Sequence, residues 1–268
     1  MTEKILDKKI IVVTGTSSGM GYAIANKLLT KGHTVIMISK NREKLEKSFN
    51  KLSGNKYMYV CDVRSSKDTK NLFKIIIKDF NKIDILVNSA GVSIHGDFEK
   101  LSARDFDEVI DTNLKGTFNM CLEAWKLMKN ISEGHIINIS SISGFKGYPS
   151  GSIYSASKFG VNGLMDALSY EGQECGIKVT NICPGQVDTD IWNPDDDDVN
   201  AARPLMLKPD AIADLVEYTI SRDFNEHLSQ IIIKPFAQQP YLRGRNKGPG
   251  GKFPKKKSKF DKNKKFII

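Results

Sequence analysis

The sequence predicts a doubly wound α/β fold, a parallel seven-stranded sheet flanked by helices in a single domain. Three observations predict it. Seven short apolar runs recur through residue 235: Ile10 to Thr14, Thr34 to Ser39, Lys56 to Val60, Ile83 to Asn88, His135 to Ser140, Lys178 to Cys183 and Gln230 to Lys234. They are continuous in Val, Ile and Leu rather than alternating, as expected of strands buried on both faces. Helical patterns separate them, near residues 19–31, 42–52, 67–80, 103–130, 152–175 and 209–222. Right-handed crossovers then bring the carboxyl ends of the strands, and any ligand, to one edge.

The formal charge of +9 invites a nucleic-acid reading until it is located along the chain. Residues 236–268 hold 11 Lys/Arg against Asp261 alone, a net of +10, which leaves −1 for residues 1–235. The folded part is near neutral, so the whole-chain charge says nothing about its active site. Residues 1–239 are expected to form the domain. Residues 240–268 are expected to be a disordered Lys/Gly-rich tail, capable at most of weak contact with RNA or an anionic membrane surface. The four cysteines (Cys61, Cys121, Cys175, Cys183) lie far apart, which suits reduced thiols in a cytoplasmic protein rather than a disulfide or zinc framework. The start, MTEKILDKK, predicts neither a secretory signal nor a membrane span.

The first strand runs into Thr14-Gly15-Thr16-Ser17-Ser18-Gly19-Met20-Gly21, which then opens a helix. Such glycines allow either a tight structural turn or the approach of a pyrophosphate to a helix N-terminus. The second strand ends Ser39-Lys40-Asn41-Arg42 with no acidic residue for a ribose hydroxyl. Lys40 and Arg42 suit a 2′-phosphate, which favours NADP(H) over NAD(H), or are ordinary first-turn charges. Asp62, followed by Val63, either reaches an adenine or caps the next helix. Asn88-Ser89-Ala90-Gly91 is small enough for a cofactor to lie on its backbone. His95, in the loop beyond, is a surface residue or a substrate contact. Asn113 sits among apolar residues of the long helix, where a buried amide needs partners, structural or catalytic.

Ser141 follows the fifth strand, and Tyr154 and Lys158 follow it on a helix. A spacing of four stacks phenol and ammonium on one helical face, about 6 Å apart. At an effective dielectric of about 20, a unit charge near 4 Å is worth roughly 4 kcal/mol, enough to draw a phenol from about 10 toward 7. Pro184-Gly185-Gln186-Val187-Asp188-Thr189 turns sharply after the sixth strand, and Thr189 is placed for a nicotinamide carboxamide. Residues 191–207 read as a mobile lid. Its run Asp195 to Asp198 reads as a solvated loop, not a metal site, and no metal is expected.

Taken together, TGTSSGMG, CDV, NSAG, Asn113, the NISSISG serine, YSASK and PGQVDT resemble, in order and spacing, the motifs of the short-chain dehydrogenase/reductases over residues 8–235. The resemblance implies a Rossmann-type fold and a catalytic tetrad of Asn113, Ser141, Tyr154 and Lys158. It also implies a nicotinamide cofactor held by Gly15, Ser18, Met20, Asp62, Asn88 and Thr189. Ser17, Gly19, Gly21, Lys40, Arg42, Val63, Ala90, Gly91, Pro184, Gly185 and Val187 complete the expected cofactor contacts, with Tyr154 and Lys158. NSAG stands where NNAG is usual, which leaves Asn88 in place. The implied reaction is hydride transfer between NADP(H) and a carbonyl/alcohol pair, with a small hydroxy acid, alcohol or short aldehyde as substrate and a homodimer or homotetramer as assembly. A non-catalytic NADP(H) sensor or scaffold is the alternative, disfavoured because a sensor has no need for Ser141 and Tyr154 together.

Overall fold

A computed structural model describes residues 8–236, except 193, 194, 196 and 224. The expected boundary at 239 and the basic tail lie outside the described residues, as does Asp196. Seven strands are present: β1 (Ile10–Thr14), β2 (Thr34–Ser39), β3 (Lys56–Val60), β4 (Ile85–Asn88), β5 (Gly134–Ile139), β6 (Ile177–Pro184) and β7 (Gln230–Ile233). They form one sheet in the order β3-β2-β1-β4-β5-β6-β7, with every pair parallel. The helices are α1 (Gly19–Thr30), α2 (Arg42–Lys51), α3 (Ser66–Phe80), α4 (Ala103–Ile110), α5 (Gly116–Ile131), α6 (Ser152–Cys175), α7 (Asp197–Ala202) and α8 (Pro209–Ile220).

Strand periodicity of two divides the core into two layers. Ile11, Val13, Val35, Met37 and Ile137 face α1 and α8, where Ile24, Leu28, Ile212 and Val216 meet them. Val12, Ile36, Ile38, Leu86 and Ile136 face the other way, onto Phe73, Ile76, Met120, Met128 and Val161 of α3, α5 and α6. The two outer strands are the exposed ones: β7 alternates between exposed and half-buried positions, and β3 exposes Tyr57 and Val60. On β3 the Lys56 ammonium donates to the carbonyls of Phe49 and Leu52, capping the end of α2. β4 starts two residues later than the apolar run suggests. Asp84 precedes it and accepts from the Ile10 backbone at 2.7 Å, tying β4 to the start of β1.

Two segments depart from the sequence reading. The long helix expected over 103–130 is broken by a π turn, Asp111–Lys115, between α4 and α5. A wide turn lets the Asn113 amide reach sideways, and it brings Gly116 so close to Val63 that a Cβ there would lie 2.6 Å from a methyl carbon. The lid, read as a loop, holds α7 and a 3₁₀ turn. Val199, Ala202 and Met206 bury themselves there against Trp192, a small core of their own.

Two imidazoles register the burial. Burial holds His33 below its ordinary value and pushes His135 down to about 3. An unfolded chain protonates each near pH 6.5, so the stability contributed by neutral rings is complete above that pH and is lost as pH falls toward 3. Urea midpoints should decline from pH 7 to pH 4, and His135→Gln should flatten the decline; identical slopes would exclude the buried imidazole as a cause.

Candidate active site

The sheet order reverses direction between β1 and β4, and there the carboxyl ends separate to form a crevice. Thr14 fixes its base. Its hydroxyl oxygen accepts from the backbone of Ser89 at 3.0 Å and Ala90 at 3.1 Å, joining the exits of β1 and β4. Gly15 adopts φ +74°, and a Cβ there would lie 2.8 Å from the Ala90 nitrogen, so only glycine fits. At Gly21 a Cβ would lie 2.3 Å from the Gly15 carbonyl, which lets α1 start directly on the turn. Ser18 caps α1 without a side-chain hydrogen bond, and no acidic residue stands in its first turn. The first-turn N–H groups of α1 are therefore left to the cleft, with the positive end of the helix dipole.

That cleft encloses about 630 Å³. The residues expected at the cofactor and found lining it are Gly15, Ser17, Ser18, Gly19, Met20, Gly21, Lys40, Asp62, Val63, Ala90, Gly91 and Thr189. Pro184, Gly185 and Val187 line an adjoining pocket of about 60 Å³, which shares Met20, Ser93, Thr189 and Ile191 with the cleft. Asn88 lies beneath the lining, 3% exposed, donating to the Cys121 sulfur at 3.2 Å. Its Oδ1, with the hydroxyls of Ser89 and Thr112, is buried without a hydrogen-bond partner among the described residues. A helix N-terminus, a row of small residues and orphaned polar atoms at one cleft fit a dinucleotide.

At the far end, Lys40 lines the cleft and its ammonium lies 3.3 Å from Glu108. Arg42 stands outside the lining, 3.5 Å from Glu46 on the exposed side of α2. Asn41 and Lys44, which the sequence did not single out, line the cleft instead. Lys44 is on the first turn of α2, three residues past the N-cap Asn41, and that spacing was the available signal. Asp62 is not the cap of the next helix; Ser65 is. The Arg64 guanidinium grips the Asp62 carboxylate at 2.6 to 3.0 Å and holds it below the usual carboxylate range. Arg64 also pairs with Glu108, completing a chain of charges from Lys40 to Asp62.

Three segments carry the four expected catalytic residues: the π turn (Asn113), the turn after β5 (Ser141) and α6 (Tyr154 and Lys158). Ser141 and Tyr154 line the smaller pocket. Ser141 heads a short 3₁₀ turn, where its hydroxyl oxygen accepts from the Ser143 backbone at 3.1 Å. Lys158, 6% exposed, donates to the Ile139 carbonyl at 3.2 Å, and its nitrogen lies 5.8 Å from the centroid of the Tyr154 ring. Burial pushes this ammonium down to about 8. Protein groups take both amide hydrogens of Asn113: its Oδ1 accepts from Val92 N at 2.8 Å, and its Nδ2 donates to Val92 O at 2.9 Å and to Ser157 Oγ at 3.0 Å. Ser157 Oγ in turn donates to the Tyr154 carbonyl at 2.7 Å. His95 also lines the pocket, with its ring centroid 5.9 Å from that of Tyr154. Among the described residues no group of three His, Cys, Asp or Glu side chains is placed to hold a metal ion.

Residues 9–200 match the family model of the short chain dehydrogenases. An uncharacterized oxidoreductase of Staphylococcus aureus (strain USA300) is 37% identical over 235 residues, covering 86% of this chain and 99% of that protein. The closed form of serine dehydrogenase complexed with NADP+ superimposes with a TM-score of 0.80 at 28% identity, over 89% of this chain and 100% of that one. A variant of actinorhodin polyketide ketoreductase with NADPH gives 0.78 at 28% identity, over 85% and 97%. Agreement of that extent, in sequence and in fold alike, makes the chain a member of the short-chain dehydrogenase/reductase family and hence an oxidoreductase.

Proposed function

We propose that this enzyme transfers a hydride reversibly between NADP(H) and a small carbonyl/alcohol pair, with Tyr154 as proton donor and acceptor. One observation carries the reading: the dinucleotide cleft opens at Thr189 and Met20 into the pocket that Tyr154 and Ser141 line, so cofactor and substrate ends are continuous. When bound, the reduced nicotinamide supplies the hydride. The protein does the rest. Tyr154 gives its phenolic proton to the carbonyl oxygen, and Ser141 donates a hydrogen bond to that oxygen as charge develops on it. Lys158 is charged at neutral pH and favours the phenolate that Tyr154 becomes. Asn113 has no amide hydrogen left to give, so its part is to hold the turn of α6 that carries Tyr154. Free cysteines fit a cytoplasmic enzyme.

The preference for NADP(H) rests on Lys40, Asn41 and Lys44 at the far end of the cleft, after a β2 strand that closes on Ser39 rather than on a carboxylate. NADP(H) complexes among similar solved structures support the same choice. Arg42 would have to leave Glu46 to join them. For the assembly, exposed Phe106, Phe118, Leu122 and Phe159 on α4, α5 and α6 offer an apolar face for a second copy, which favours a homodimer as the basic unit.

Tyr154→Phe should lower kcat for NADPH-dependent carbonyl reduction by about 10² to 10⁴ while leaving the Kd for NADPH within about threefold. Near-normal turnover would refute the proton-transfer role. In cofactor titrations, Lys40→Ala combined with Lys44→Ala should weaken NADPH at least about tenfold and NADH by under about threefold; equal weakening would remove the basis for NADP(H). Light scattering should find a dimer or a multiple of it, shifted toward monomer by Phe118→Glu, and an unshifted mass would place the contact elsewhere.

A further inference from the structure

His95 has no part in the mechanism above, yet it is built into the pocket. Its Nε2 lies 2.7 Å from the Tyr148 hydroxyl and its Nδ1 lies 3.1 Å from Ser93 Oγ. The ring stands between two phenols, 5.8 Å from Tyr148 and 5.9 Å from Tyr154 by centroid. Two loops hold it there. The Gly96 backbone donates to the Ser150 carbonyl at 3.0 Å, and Ser150 takes a left-handed φ of +64° to permit the turn. Gly151 has no room for a Cβ, which would fall 2.3 Å from the Tyr148 ring, so that ring lies flat on bare backbone. The imidazole is thereby fixed beside the proposed proton donor, on a polar wall that the hydride-transfer chemistry does not require.

We propose that His95, with Tyr148, forms a subsite for a second substrate oxygen, so that the preferred substrate is a neutral carbonyl compound carrying an oxygen on the adjacent carbon: an α-hydroxyketone or a vicinal dione. This rests on the carbonyl-reductase reading and narrows it. Oxygens on adjacent carbons lie about 3 Å apart, given single bonds of roughly 1.5 Å. With a hydrogen bond of about 2.8 Å at each end, such a pair would engage Tyr154 through one oxygen and the His95–Tyr148 pair, which lines the same pocket, through the other. The small volume, about 60 Å³, and the apolar contributions of Ile142, Val187 and Trp192 suit short alkyl ends.

Charge excludes the acid analogues. None of the residues lining the small pocket is Lys, Arg, Asp or Glu. Five aspartates occur over residues 190–207, at Asp190 and Asp195 to Asp198, against one basic residue, Arg203. Arg203 lies 2.5 Å from Asp188, and that same carboxylate takes Lys208 at 2.8 Å. A substrate carboxylate would lose its hydration here without a charged side chain in the lining to meet it, whereas a neutral hydroxyl or carbonyl oxygen needs only to exchange into the hydrogen bonds that join His95, Tyr148 and Ser93. The hydroxy-acid option raised by the sequence is thus the least suited of the three.

The test uses the full chain with NADP+ and reads ligand affinity from the fluorescence of Trp192, a pocket residue, with Trp192→Phe identifying its share of the signal. Butane-2,3-diol should bind at least about tenfold more tightly than butan-2-ol or lactate. His95→Ala should bring the ratio of diol to butan-2-ol affinity to within about threefold of one, Tyr148→Phe should lower it less, and His95→Gln should restore part of it. A wild-type ratio near one, tighter binding of lactate, or a ratio that survives His95→Ala overturns the subsite. Oxidation rates separate the two levels: turnover of both neutral alcohols with equal kcat/KM rejects the subsite alone, and failure to bind or oxidise any of the three rejects the small carbonyl/alcohol reading with it.

Discussion

The active site depends on one buried amide. Asn113 commits both amide hydrogens and its Oδ1 to both backbone groups of Val92 and the hydroxyl of Ser157. Val92 belongs to the loop that leaves β4, Asn113 to a π turn, and Ser157 to α6, where it bonds the Tyr154 carbonyl. A single side chain therefore joins the loop that lines the cleft to the helix that carries Tyr154, the proposed acid. Removing it would leave buried backbone groups unpaired, at a cost of about 1 to 3 kcal/mol each. A regular α-turn would point this side chain elsewhere, so the irregular backbone of the long helix follows from the contact it serves.

Around that clamp, each proposed participant is placed by a different part of the sheet edge. The glycine turn after β1 and the small residues after β4 leave an open trough. The 3₁₀ turn after β5 presents Ser141, and the turn after β6 brings Thr189 across the junction of cleft and pocket. Lys158 is the costly member. Burial lowers the proton affinity of this ammonium, to about 8, which still leaves it charged at pH 7. A cation anchored to the Ile139 carbonyl is suited to stabilise a neighbouring phenolate.

Much of this was legible in the sequence because it is local. Short apolar runs marked all seven strands to within about two residues, and Gly15 and Gly21 sit where a side chain cannot. What was not legible depends on contacts between distant segments. The π turn at Asp111–Lys115 exists because of Val92 and Ser157, 21 and 44 residues from Asn113, and no helical periodicity records that. His95 looks like any loop histidine until Tyr148, 53 residues on, is brought against it. Lys44 and Arg42 are equivalent as charges, and what separates them is their spacing from the N-cap Asn41, which turns Lys44 to the cleft and Arg42 toward Glu46. The short core of Val199, Ala202 and Met206 was hidden by the aspartates before it, whose polarity reads as loop.

The central claim is that cleft and pocket operate as one site, passing hydride from cofactor to carbonyl carbon. Isotope transfer tests it most directly. Turnover of a neutral ketone with NADPH deuterated at the transferable C4 position should yield an alcohol with one deuterium on its carbinol carbon, detected by mass spectrometry. Consumption of NADPH with no deuterium in the alcohol would contradict the account.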